Sequence, residues 1–303
     1  MVAGWLDAEV ELVEITTSGD EGQSRHASPS DKSRFVKEIE EALLREEIDL
    51  AVHSAKDVPG ELPEGLAIVG VPERADARDS LCGAASLDVL AEGARVGTSS
   101  LRRRAQLLAA RPDLRVEDVR GNVDTRLRRL AAGDFDALVL AAAGLARLGR
   151  DEGTAIPAAA MVPAPGQGCL ALEARAGDER TADLAAALTD RAALTALTAE
   201  RALVGALEAT CNTPLAAYAE PVGAAPGAPA PGGAAAPGGA AAASPAGSLR
   251  LTAFAGLPDG SHWISDALEG DAADPAALGR AVAERLVAAG AAELLAAAER
   301  AAA

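Results

Sequence analysis

A chain of 303 residues can bury the cores of two or three domains, so no small disulfide-stapled scaffold is needed. Its three cysteines, Cys82, Cys169 and Cys211, are too few and too irregularly spaced for a disulfide framework or a zinc site, so no metal is expected. A net charge of −17 argues against nucleic acid as a partner, and no apolar run reaches the length that spans a bilayer, which together predict a soluble, cytoplasmic monomer.

In chain order, residues 10–15 (VELVEI) alternate apolar and acidic side chains and predict a strand exposed on one face. A polar stretch at 16–33 predicts a mobile loop, and the apolar spacing at 35–47 predicts a helix. The short run 48–52 reads as a buried strand that opens into a loop at 53–59. Residues 93–97 predict a strand running into Thr98, Ser99 and Ser100, and a helix follows at 101–110, stopping before Pro112. The pattern returns with a helix at 122–132 and a strand at 135–140, and the likeness of 135–140 to 48–53 suggests two related α/β units. Strands alternating with helices predict a mostly parallel sheet in each, with ligands at the carboxyl ends of the strands.

Residues 221–248 are Ala, Gly and Pro repeats that cannot bury enough surface to offset the entropy of ordering them, and predict a disordered insertion. After it, 249–255 reads as a strand, Pro258-Asp259-Gly260 as a hairpin turn and 275–302 as a helical end. Together with 195–218 these make a small α+β unit.

Arginines crowd one part of this acidic chain, from Arg95 to Arg129. A basic cluster inside an acidic protein points to a small anion held in a cleft. Free N–H groups and hydroxyls at the helix start after Thr98, with Arg102 and Arg103 beside them, suit carboxylates. Arg120 repeats the device at a strand end, with Arg126 one turn into the next helix. Read alone, Ser100 is an ordinary helix cap, Asp57 a turn or capping carboxylate and each cysteine a small buried apolar residue.

Seven segments together resemble one family, the hydroxymethylbilane synthases. They are HSAKDVP at 53–59, VGTSSLRR at 96–103, RGNVDTR at 120–126, AAGLARLG at 142–149, PGQG at 165–168, AER at 199–201 and EATCNTP at 208–214. The resemblance implies two α/β domains like those of type II periplasmic binding proteins flanking a cleft, plus a small α+β C-terminal domain. Domain 1 would comprise residues 1–73 and 165–190, domain 2 residues 74–164 and domain 3 residues 191–303.

The implied reaction deaminates porphobilinogen and joins four units head to tail into hydroxymethylbilane, with release of ammonia. Asp57 and Lys56 would be catalytic, Asp57 accepting pyrrole N–H bonds and shuttling the amine proton. Cys211 would carry a dipyrromethane cofactor through a thioether, held by Asp57, Lys56, Ser54, Thr98, Ser99, Ser100, Arg102, Arg103, Arg120 and Gly121. Arg126, Arg147, Gln167, His53, Lys32 and Phe35 would meet substrate. Arg104, Arg128 and Arg129 read instead as a solvated helix face, and Cys82 and Cys169 as buried packing residues.

Two departures from the family pattern stand out. Residues 10–15 resemble the family's second strand, so the chain as given is expected to lack a first strand and helix. Ala209 and Thr210 replace the usual glycine pair before the cofactor cysteine. The alternatives are an inactive, N-terminally truncated fragment and a non-catalytic ligand binder of the same fold.

Overall fold

The computed structural model describes residues 4, 6, 8–15, 36–210, 212–223 and 247–302. The expected mobile loop at 16–33, the candidates Lys32, Phe35 and Cys211, and nearly all of the Ala/Gly/Pro segment lie outside those residues.

Three sheets organise the chain. In the first, β1 (Ala51–Ser54) and β2 (Leu66–Gly70) both pair with β8 (Leu170–Arg175), which returns from far along the chain to lie between them. Both pairings are antiparallel, with Ala51 opposite Glu173 and Leu66 opposite Arg175. The expectation of a mostly parallel sheet fails here, because local helix–strand alternation cannot reveal that a distant segment supplies the central strand.

The second sheet has the order β5-β4-β6-β3-β7. Its strands are β3 (Asp79–Cys82), β4 (Arg95–Gly97), β5 (Arg115–Glu117), β6 (Ala137–Ala141) and β7 (Thr154–Ala155). β4 runs parallel to β5 and β6, whereas β3 is antiparallel to β6 and β7, so the sheet is mixed. The apolar run of β6 is buried on both faces, as a covered parallel strand requires. Ala137 and Val139 pack towards α2 (Leu101–Ala110), and Leu138 and Leu140 pack towards α3 (Val123–Ala131) and α4 (Ala142–Arg147). Ser100 caps α2 and Asn122 caps α3, its side chain accepting from Thr125 N at 2.9 Å.

The third sheet is an antiparallel meander of β9 (Leu215–Pro221), β10 (Ser248–Gly256) and β11 (Trp263–Asp271). The turn at Pro258-Asp259-Gly260 closes the hairpin, with Gly260 at φ 73°. The expected single helical end is two helices, α7 (Pro275–Ala288) and α8 (Ala291–Ala302), broken at Gly290, whose φ of 97° no helix accommodates.

α1 (Lys37–Leu44) is shorter than the 35–47 expected, and α5 (Glu179–Ala186) covers the first sheet through Ala185 against Leu172. α6 (Arg191–Ala206) is shared between sheets: Ala193 and Leu197 pack with the first, and Ala196, Ala199 and Leu203 with the third.

Residues 10–15 form no strand. Leu12 is 84 % exposed, and the segment runs beside β1 without joining its ladder. Alternating polarity supplies a face but not a hydrogen-bonding neighbour, and a strand needs both.

Candidate active site

A cavity of about 420 Å³ opens where the three sheets meet. One wall is the 3₁₀ turn Ala55–Asp57 that follows β1, together with Val58, Pro59 and Gly60. Ser100 and Arg102 at the start of α2 form a second wall, and Ala209, Thr210, Asn212, Thr213 and Leu215 a third. Residues on both sides of Cys211 therefore face the same space as Lys56 and Asp57. Behind the turn, Gly166 has φ 72°, and a Cβ there would stand 2.9 Å from the carbonyl carbon of Ala55. The tight PGQG segment thus supports the loop from the rear.

Asp79 lies behind the second wall, fully buried in β3. Arg102 reaches it at 2.8 Å and Arg103 at 2.7 Å, and Gln167 Nε2 donates to it at 3.0 Å. Burial alone would raise the Asp79 carboxyl, but the two guanidinium groups outweigh it and hold it well below the usual carboxylate range. Two cations on one carboxylate leave a surplus positive charge. Burial lowers the Arg103 guanidinium from its ordinary value, with Asp79 and, more weakly, Asp57 opposing the shift. Asp57 therefore sits within the field of Arg103.

Three candidate arginines have no carboxylate partner among the described residues. Arg120 is exposed, just beyond β5. Arg126 donates to Gly121 O at 2.8 Å, and its guanidinium is lowered first by burial and then by Arg103. Arg147 donates to Gly168 O at 2.7 Å and is likewise lowered by burial. By contrast, Arg129 pairs with Asp134 and lies 4.8 Å over the Phe135 ring, and Arg104 reaches Asp118 at 3.6 Å. Arg128 donates to Thr125 Oγ1 at 3.0 Å.

The remaining candidates turn away from the cavity. Gln167 is 1 % exposed and spends its amide on Ala77 O and on the Asp79 cluster, so it organises the arginines and has no free face for a ligand. His53 is buried, with Nε2 2.9 Å from Glu173 Oε2, and does not line the space. Thr98 is buried and accepts from Ser100 N at 3.3 Å, while Ser99 donates to Val119 O at 2.7 Å. Both shape the turn into α2. Ser54 pairs in β1, and Gly121, at φ 101°, makes the turn before α3.

Four further residues hold the site together without a motif that announces that role. Asp79 is one, and Arg74 and Glu200 form another buried pair at 2.7 Å, with Arg74 also lying 5.1 Å over the Tyr218 ring. Glu200 further accepts from Gly166 N at 2.6 Å and Ala219 N at 2.8 Å, so one carboxylate ties together segments beside all three sheets. Arg201 donates to Pro59 O and Gly60 O, both at 2.9 Å. The available signal was the isolated Glu200-Arg201 pair in the otherwise uncharged stretch between Arg191 and Leu207.

Fold and site together define an α/β protein that gathers cationic side chains around one cleft of an acidic chain. Residues 1–183 match the family described as porphobilinogen deaminase, dipyrromethane cofactor binding domain. The chain is 42% identical to the porphobilinogen deaminase of Brevibacillus brevis over 295 residues, covering 96% of this chain and 88% of that protein. It is 43% identical to those of Deinococcus radiodurans and Thermus thermophilus, covering 96% of this chain in each case and 89% and 90% of the relatives. A periplasmic substrate-binding protein of an ABC transporter from Coxiella burnetii is similar at a TM-score of 0.34 and 17% identity, over 52% of this chain and 77% of that one, too loosely to define the fold. The chain belongs to the porphobilinogen deaminase family, and residues 1–183 carry its dipyrromethane cofactor-binding domain.

Proposed function

We propose that the chain is a hydroxymethylbilane synthase, a transferase that deaminates porphobilinogen and joins four units head to tail into hydroxymethylbilane, releasing ammonia. The observation that carries this reading is the shared cavity: Lys56 and Asp57 face Ser100 and Arg102, and the neighbours of Cys211 complete the lining. Cys211 is the attachment point for dipyrromethane. That group, when bound, supplies a pyrrole α-carbon as the primer for elongation.

The residues present suit it. A dipyrromethane bears several carboxylates, and Arg120, Arg126 and Arg147 offer guanidinium groups that no protein carboxylate has claimed among the described residues. Arg102 and Arg103 add the surplus charge of the Asp79 cluster. Asp57 accepts pyrrole N–H bonds and passes a proton to the departing amine, with Lys56 beside it. Thr98, Ser99, Ser100 and Gly121 shape the backbone that presents these groups, and Lys32 and Phe35 are assigned to the substrate side on sequence resemblance alone.

The three sheets support a division into domain 1 (residues 1–73 and 165–190), domain 2 (74–164) and domain 3 (191–303). No described helix is long and apolar enough to cross a membrane. The acidic charge and the two buried free cysteines, Cys82 and Cys169, support a monomer working in the cytoplasm.

Intact mass and turnover test the reading. The purified chain should carry the mass of one dipyrromethane, lose it in Cys211→Ser, and convert porphobilinogen to hydroxymethylbilane. An active chain with a bare thiol would overturn the cofactor assignment, and a loaded chain with no turnover would favour a ligand binder.

A further inference from the structure

The loop that bears Lys56 and Asp57 is held from beneath at both ends. At its start, His53 Nε2 lies 2.9 Å from Oε2 of Glu173 in β8. At its far end, Arg201 in α6 donates to the carbonyls of Pro59 and Gly60, and its guanidinium also lies within the field of Glu173. Glu173 is 0 % exposed, and among the described residues neither of its oxygens meets hydrogen-bond geometry, the His53 contact included. A buried carboxylate depends on the groups packed against it, so its free energy depends on where His53 and Arg201 stand. Moving either end of the loop costs that balance.

From α1, Glu40 faces the same cluster. Burial is the main cause that pushes its carboxyl up, Glu173 adds to the shift and His53 opposes it. Glu40 is thus a second buried carboxyl set against Glu173 and His53.

We infer that Glu173 is a positioning residue for the reaction, acting through His53 and Arg201 to fix the Lys56–Asp57 loop against the Ser100–Arg102 wall. This rests on the proposed function, since it presumes that Asp57 works in that cavity. It also gives His53 a place in the machinery without contact to substrate. A loop displaced by about 1 Å loses on the order of 100-fold in rate while its ligands still bind.

The test uses the dipyrromethane-loaded enzyme, with loading checked by intact mass. Glu173→Gln should lower kcat by roughly 10- to 100-fold while KM for porphobilinogen stays within about twofold. Combining it with Arg201→Lys should give a double variant little slower than the slower single one, because both act on one loop. Retained kcat in loaded Glu173→Gln, or losses that simply multiply, would overturn the inference. If Glu173→Gln yields no loaded protein, Arg201→Gln decides alone: a fall in kcat with an unchanged thermal midpoint supports it, and unchanged kcat sinks it. The wild-type chain and Asp57→Asn run alongside. Absence of hydroxymethylbilane from the wild type, or full activity in Asp57→Asn, strikes the proposed function itself, whereas a working wild type, a dead Asp57→Asn and an unaffected Glu173→Gln strike only the positioning role.

Discussion

The arginines at the start of α2 and those around α3 and α4 share a residue type and an acidic protein, yet they stand in opposite states. Arg102 and Arg103 are buried on Asp79 and bonded to the carbonyls of Val162 and Val139, so most of their hydrogen-bonding capacity is used. Arg126 and Arg147 have one backbone carbonyl each and no anion among the described residues, and Arg120 projects into solvent. The first group is architecture that carries a residual charge. The second group keeps guanidinium groups that no described carboxylate occupies, as the proposed carboxylate-binding role requires.

Asp79→Leu should break the first group with the largest effect. It strands two guanidinium groups in the interior, and equilibrium unfolding in urea should show a loss of about 3–5 kcal/mol, with activity lost as well. The same carboxylate makes the protein acid-sensitive. Its folded-state value is depressed below the ordinary 3.8, so its contribution is complete above that value and drains away as pH falls through the lowered one. An acid titration of Asp79→Asn should lack that component.

Arg126→Leu and Arg147→Leu should invert the pattern, cutting kcat/KM about 100-fold with stability within roughly 0.5 kcal/mol of the parent. Equal damage to both properties would place these two with the structural arginines. Arg120→Leu, being exposed, should weaken turnover without any shift in the thermal midpoint. Asn122→Ala removes the cap of α3 and should cost about 1 kcal/mol, with a smaller loss of activity through the helix that carries Arg126. The smallest effect belongs to Glu40→Gln. A carboxyl whose folded-state value is raised destabilises the fold above that value, so the amide should raise the thermal midpoint slightly at neutral pH and lose that advantage in acid.

What could be read from sequence follows the range of the interactions. The caps Ser100 and Asn122, the turn after β1 and the buried run of β6 are local, and their residues announce them within a few positions. Local pattern could not set antiparallel β8 beside β1, because more than a hundred residues separate the partners, and only the family resemblance grouped 165–190 with 1–73. Residues 10–15 have the polarity of a strand but join no ladder, a matter of neighbours and not of composition. The same limit hid Asp79, Arg74 and Glu200, each of which looks like any surface charge until its distant partner is located. Gln167 sat in a matching motif, but its amide faces inward to Asp79, a direction that no spacing encodes.

Glu200 bears on how the cavity can change shape. Four donors converge on it, from Arg74 on the way to the second sheet, Gly166 behind the turn and Ala219 in the meander. Any swing that parts these segments leaves a bare anion in an apolar interior, a penalty of about 3–5 kcal/mol that keeps such a state at or below the order of 1 % of molecules. The junction acts as a rivet on these three segments, so a change of shape that keeps it intact has to come from the loops and side chains around it.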